Sequence, residues 1–508
     1  MTPPDLNLVV VGPIAWVALG AMVVLLGEVL LSRATTFLGR PVTESYIGSV
    51  LAVFSMIFLG IAAYMSVVHA TSGEALVFNA DNPMFQLDRY SAFLTAVVAF
   101  AALLSCALSI AYLDELRINH GEFYALVLFA TSGMMLMIPA VDMLPVFLGL
   151  ELMSIPIYVL AGFDRSKLRS NESAMKYFLI GSFASAILLY GMALLYGVSG
   201  GTSFAAIRAA FDPSNPLAVA GLGLVIVGFA FKISSVPFHQ WTPDVYEGAP
   251  SAVTAFMSVT VKLAAFAALL RVIALAFEPL GDAMANVLWV LAALTMIVGN
   301  VMAVIQDNVK RLLAYSSIAH AGYLLIGFVP GTPEGYAAVV FYLICYVFMN
   351  LGAFAVIVAL ANRGADCEEM ESLAGLARSR PGLAALMTLF MVSLAGIPGT
   401  AGFMGKIMVF SAAVSAGEVP LAILGVLMSV VSVYYYLRVP VLMYMREPTE
   451  DEDPQRRELA TGEAFVLAIC AFGVLYLGLF PNGSLPVIGS MPVLDWARQS
   501  IELLFASS

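Results

Sequence analysis

Three lysines, Lys232, Lys262 and Lys406, sit well inside apolar runs long enough to cross a bilayer, and a fourth, Lys176, sits at the edge of one. An ammonium in hydrocarbon costs several kcal/mol unless it is paired, hydrated or neutral, so such residues mark an ion or proton path. Glu151, in Pro145-Val-Phe-Leu-Gly-Leu-Glu151-Leu-Met-Ser-Ile-Pro156, is the carboxylate within the same apolar territory. Lys232 is its natural counter-charge, and making or breaking that pair would move the proton affinity of both groups. A static ion pair used for register is the ordinary alternative. Desolvation penalises the charged form of Lys262, which lets such a lysine gain and lose a proton at working pH. Lys406 follows a glycine-rich interruption and can face the water that an unwound segment admits. For both, snorkelling to the interface is the competing role. His320, with Ser316 and Ser317 beside it, is either a proton relay between Lys262 and Lys406 or a hydrogen-bonded core residue. Lys176 reads as an anchor at the cytoplasmic start of its span, and Glu28, Asp142 and Arg271 read as interfacial.

The elements that position these groups follow from composition. The chain has 508 residues, 61% hydrophobic and 11% charged, with a mean hydropathy of +0.94. That is a polytopic membrane protein. Apolar runs fall at 8–31, 45–68, 90–113, 122–140, 144–163, 174–198, 218–236, 251–277, 284–305, 311–329, 335–361, 382–416, 419–445 and 460–480, which predicts about 14 transmembrane helices in an all-α fold. The first run lacks a basic flank and is followed by further spans, so no cleavable signal is expected. The net charge of −11 argues against nucleic acid as a partner. Cys106, Cys345, Cys367 and Cys470 are scattered singly and the four histidines lack ligand spacing, so no metal or iron–sulfur site is expected. Met and Phe are core filling.

Loop charge sets orientation. Fourteen Lys and Arg residues, Lys310 and Arg311 among them, follow predicted spans 1, 3, 5, 9, 11 and 13, whereas only Arg89, Arg208 and Arg498 lie on the other side. The bias places both termini outside and the basic loops in the cytoplasm. The acidic stretch Glu447–Glu458 reads as a solvated connector, with a docking strip for a soluble partner as the alternative.

Two spans carry the same punctuation. Lys232-Ile-Ser-Ser-Val-Pro237 and Ser393-Leu-Ala-Gly-Ile-Pro398 both set small residues before a Val/Ile-Pro. Proline removes a backbone donor and clashes with the preceding turn, so spans 7 and 12 should be discontinuous. Paired broken helices are the mark of repeat-built transporters, whose ion sites form at the breaks. The breaks lie five spans apart, which predicts repeats of spans 4–8 and 9–13, the second inverted because each holds an odd number of crossings. The resulting organisation is 1–121 (spans 1–3), 122–277 (first repeat), 278–446 (second repeat) and 447–508 (connector, span 14 and tail).

The stretch Trp241-Thr-Pro-Asp-Val-Tyr-Glu-Gly-Ala-Pro250 and the second motif Gln306-Asp-Asn-Val-Lys-Arg-Leu-Leu-Ala-Tyr-Ser-Ser317 resemble the antiporter-like subunits of respiratory complex I. Within that family the Trp-Thr-Pro-Asp-Val-Tyr wording is similar to the N subunits, since M, L and antiporter relatives typically read Trp-Leu-Pro-Asp-Ala. The chain ends about 28 residues after the last run, without room for the lateral helix of L subunits. The resemblance implies a proton-translocating subunit of NADH:quinone oxidoreductase in a bacterial inner membrane. It implies partner membrane subunits that include a neighbouring antiporter-like one, and lipid around them. FMN, iron–sulfur clusters and quinone are expected in other subunits, with no redox chemistry in this chain. It also implies that Glu151, Lys232, Lys262 and Lys406 are the proton-path residues, with His320 as a relay. A cation/proton antiporter subunit and a structural scaffold are the rival readings.

Overall fold

The computed structural model describes residues 6–33, 36–37, 40–41, 43–277, 281–361, 368–447, 457–483 and 493–506. The helices are α1 (Gly12–Leu31), α2 (Glu44–Ser72), α3 (Arg89–Glu115), α4 (Gly121–Met137), α5 (Met143–Ala161), α6 (Leu168–Ser199), α7 (Phe204–Ala210), α8 (Pro216–Lys232), α9 (Trp241–Gly248) and α10 (Ser251–Ala276). They continue with α11 (Gly281–Val304), α12 (Val309–Ile326), α13 (Pro333–Leu360), α14 (Leu376–Ser379), α15 (Pro381–Ala395), α16 (Ala401–Ser415), α17 (Val419–Met445), α18 (Thr461–Leu479) and α19 (Val493–Ala506). Among the described residues ten helices are long and apolar enough to cross a membrane, and α4, α8, α15 and α16 are shorter apolar helices.

Helix starts follow local chemistry. Thr43, Asp88, Asp142, Asn308 and Thr332 precede α2, α3, α5, α12 and α13, and each side chain accepts from a backbone N–H of the first turn. Pro216, Pro333 and Pro381 open α8, α13 and α15, where a missing N–H has no helical partner to lose.

Burial orders the bundle. The most apolar window of α10 is 100% buried and that of α13 is 94% buried, against 28% for α1 and α6. α10 and α13 therefore form the centre, packed against each other and against α3. The outer helices turn Leu26, Phe183, Tyr190, Val430 and Phe472 outward, an apolar surface suited to lipid or to neighbouring membrane proteins. Glycine sets two close approaches. A Cβ on Gly133 or Gly149 would meet backbone across the α4–α5 contact, and one on Gly299 or Gly322 would do so across α11–α12.

Predicted span 12 resolves into α15 and α16, while predicted span 7 gives α8, which stops at Lys232, and the short α9 follows just beyond the span's predicted end. The tail after span 14 contains the amphipathic α19, which packs on α3 and α13 and buries Val493, Trp496, Ala497, Ile501 and Leu504. Arg89 lies 5.2 Å over the Trp496 ring and donates to Gln499 at 2.5 Å, holding α19 in place. The acidic connector lies, over residues 448–456, outside the described residues.

Candidate functional site at two broken helices

α8 stops at Lys232 because Pro237 cannot continue it, and Ser234 turns left-handed with φ +63. The freed backbone is caught locally. Trp241 Nε1 donates to Phe231 O at 3.0 Å, Val236 N donates to Thr295 Oγ1 of α11 at 3.0 Å, and Thr242 Oγ1 donates to Ser234 at 2.8 Å. Trp241 stacks on Tyr177 with ring centroids 4.3 Å apart.

Lys232 closes this construction. Its Nζ lies 5.4 Å from the ring centroids of both Tyr158 and Tyr177 and 5.8 Å from that of Phe231, an aromatic cage for a cation. The Glu151–Lys232 pair is not closed to ion-pair distance, although the carboxylate acts on the ammonium through space. Lys232 Nζ and Glu151 Oε1 are both buried without a hydrogen-bond partner, and no ion pair joins them among the described residues. The ammonium instead faces the three rings of the cage, one of which, Tyr158, comes from Glu151's own helix α5.

Lys262, in the middle of the fully buried α10, donates to Ser317 O at 2.6 Å and to Ser317 Oγ at 2.5 Å on α12. One turn further along α12, His320 Nδ1 is hydrogen-bonded to Tyr342 OH of α13 at 2.7 Å, and its Nε2 to Tyr436 OH of α17 at 3.1 Å. Tyr436 is also bonded to Ser316 Oγ.

The second break repeats the theme with glycine. α15 ends at Ala395, and Gly396 and Gly399 take φ of +85 and +86, conformations that L side chains resist. Lys406 on α16 turns back to this end. Its Nζ donates to Leu394 O at 3.1 Å, to Ala395 O at 2.9 Å and to Ser429 Oγ of α17 at 2.9 Å, and lies 4.8 Å over the Tyr323 ring. The ammonium thus caps the carbonyl end of α15, the negative end of its dipole.

Lys232, Lys262, His320 and Lys406 are buried inside the bundle, with Lys262, His320 and Lys406 gathered around α12, whereas Glu151 on α5 is half-buried with its Oε1 turned inward. The residues read as interfacial, as an anchor or as loop charges have specific partners. Arg271, read as interfacial, is 1% exposed and forks onto Asp88, with Nη2–Oδ2 at 2.6 Å and Nη1–Oδ1 at 3.2 Å. Asp142, also read as interfacial, is buried, caps α5 and accepts from Thr202. Glu28 accepts from Gly121 N at 2.9 Å, tying α1 to the start of α4. Lys176, read as an anchor, bridges Glu172 at 2.7 Å and Asp244 at 3.0 Å. Lys310, counted among loop charges, is fully buried between Ala249 O and Glu368. The two motifs singled out in the sequence meet here, since Arg311 bridges Asp244 and Glu247, each at 2.8 Å.

The sequence reading missed Tyr158, Tyr177, Tyr342, Tyr436 and Ser429. A signal existed for Tyr158, which lies seven residues after Glu151 and so on the same helix face. None existed for Tyr436, because Tyr434-Tyr435-Tyr436 presents one ring to the exterior and two to the core without saying which.

Residues 140–432 match the family described as "NADH:quinone oxidoreductase/Mrp antiporter, TM". The NADH-quinone oxidoreductase subunit N of Trichlorobacter lovleyi is 47% identical over 86% of this chain and 88% of its own length. A chain of respiratory complex I from Thermus thermophilus superposes with a TM-score of 0.77 at 34% identity, covering 94% of this chain and 100% of that one. A chain of the Mrp complex from Dietzia shares the fold, with a TM-score of 0.82 at 24% identity over 98% of both chains. By its matched core, its full-length relatives and its fold, the chain belongs to the subunit N family of NADH-quinone oxidoreductases.

Proposed function

We propose that this chain carries protons across the bacterial inner membrane as part of the NADH:quinone oxidoreductase complex, through Lys232, Lys262, His320 and Lys406, with Glu151 as the modulating charge. The observation that supports this best is the pair of broken helices, each with a buried lysine at its broken end: Lys232 is the last residue of α8, and Lys406 caps α15. Lys262, on the central α10, is held by neutral oxygens of Ser317. Neutral acceptors orient an ammonium without neutralising it, so its proton stays available for transfer.

In this reading quinone reduction elsewhere in the complex alters the field at Glu151, Lys232 exchanges its aromatic cage for the carboxylate, and the changed charge displaces a proton from Lys262 toward Lys406. FMN, iron–sulfur clusters and quinone belong to partner subunits. Both termini face outward and the basic loops face the cytoplasm. The segments 122–277 and 278–446 act as inverted repeats, a reading supported by packing that recurs in both: α4 on α5 and α11 on α12, then α6 on broken α8/α9 and α13 on broken α15/α16.

The test is Lys262→Ala in membrane vesicles, with NADH-driven proton uptake and quinone reductase rate normalised to assembled complex. Normal assembly with a sharp fall in both rates is expected. Both rates near wild type would make the buried charge structural. Transport that responds to cations without NADH would favour the antiporter reading instead.

A further inference from the structure

We infer that Tyr436, acting with Ser316, His320 and Tyr342, forms a hydrogen-bonded proton wire between the surroundings of Lys262 and those of Lys406; this rests on the proposed proton path and assigns its middle section. All four side chains are buried at 1% exposure or less. They come from three helices: Ser316 and His320 from α12, Tyr342 from α13 and Tyr436 from α17. The bonds are continuous, Ser316 Oγ to Tyr436 OH, Tyr436 OH to His320 Nε2 at 3.1 Å, and His320 Nδ1 to Tyr342 OH at 2.7 Å.

The two ends of the wire lie beside residues that hold or adjoin the two lysines. Ser316 adjoins Ser317, which takes both hydrogen bonds of Lys262. At the other end the Tyr342 ring packs on Gly405, the neighbour of Lys406, so closely that a Cβ there would overlap it. Ser316 and His320 lie one turn apart on α12, and the hydroxyl of Tyr436 is bonded to both and so bridges them. That gives the tyrosine hydroxyl a role a phenyl ring cannot supply.

A hydroxyl donates one proton while accepting another, and neutral imidazole donates from one nitrogen and accepts at the other. The wire therefore has two polarities. In one, Ser316 donates to Tyr436, Tyr436 to Nε2, and Nδ1–H to Tyr342. In the other, every donor and acceptor is exchanged. A proton arriving at Ser316 Oγ releases the serine proton to Tyr436, whose own proton passes to Nε2. Nδ1 then gives its proton to Tyr342, and the phenol proton leaves toward Lys406. One proton enters and one leaves, each group is neutral before and after, and the polarity is reversed until the hydroxyls and the tautomer reset.

The experiment uses the assembled complex in proteoliposomes carrying Tyr436→Phe, with Tyr90→Phe and Lys262→Ala alongside. Tyr90 of α3 is also buried, and its hydroxyl donates to Ala267 O at 2.8 Å outside the wire. Proton uptake per NADH oxidised, coupled rate and solvent deuterium isotope effect are measured. The expected result is normal assembly of Tyr436→Phe with coupled turnover reduced by about tenfold or more and a changed isotope effect, while Tyr90→Phe stays near wild type. If Tyr436→Phe matches Tyr90→Phe while Lys262→Ala is inactive, the wire is overturned and the lysine path stands. If Lys262→Ala also pumps normally, the path itself falls. Should Tyr436→Phe fail to assemble, Tyr342→Phe interrupts the wire from its other end and is read by the same criteria.

Discussion

Replacing Lys406 separates its two tasks, closing a helix end and passing a proton. The ammonium donates to Leu394 O, Ala395 O and Ser429 Oγ. In Lys406→Met those donors vanish while volume is nearly kept. Ala395 O retains a bond from Ser429 Oγ at 3.3 Å, so the loss concentrates on Leu394 O. One dry carbonyl costs about 1–3 kcal/mol, and losing the positive charge at a helix C-terminus adds about 0.3–1 kcal/mol. A destabilisation of about 1–4 kcal/mol at the break follows, enough to lower the amount of assembled complex. Lys406→Arg keeps a cation and donors for the carbonyls, yet a guanidinium does not release its proton in a protein. The expected pattern is reduced assembly with no pumping for Lys406→Met, and near-normal assembly with no pumping for Lys406→Arg. Native gel electrophoresis and NADH-driven acidification of inverted vesicles, normalised to assembled complex, read the two quantities. Wild-type pumping by Lys406→Arg would refute the assignment of Lys406 as a proton carrier.

Two further outcomes test the frame around the site. Asp88→Ala leaves the buried Arg271 unpaired and should cost about 3–5 kcal/mol, seen as a lowered midpoint in detergent melting; the double change Asp88→Leu with Arg271→Met should recover most of it, and equal melting of single and double variants would contradict the pairing. Gly396→Ala forces a side chain into φ +85 against the stem of Lys406, so assembly and pumping should both fall, whereas Gly382→Ala, where a Cβ meets open space, should change neither.

The sequence alone determined the membrane class, the position of nearly every apolar helix and the two interruptions. The reasons are local: runs of about 20 apolar residues fit a bilayer as helices, and Pro237, Gly396 and Gly399 act on their own backbone. It also placed Lys232, Lys262, His320 and Lys406 inside the bundle, because a charge within an apolar run has nowhere else to be. What it left open was which groups meet. Arg271 looked interfacial by run length, and only the fold shows that it is buried there against Asp88, 183 residues away in sequence. Lys232 looked paired with Glu151, but Tyr158 and Tyr177 close around it instead. Tyr436 carried no signal at all, because its role exists only where α12, α13 and α17 converge. Helix formation depends on neighbours a few residues apart, whereas hydrogen bonds between helices depend on rotation and approach, and only the packed bundle fixes those.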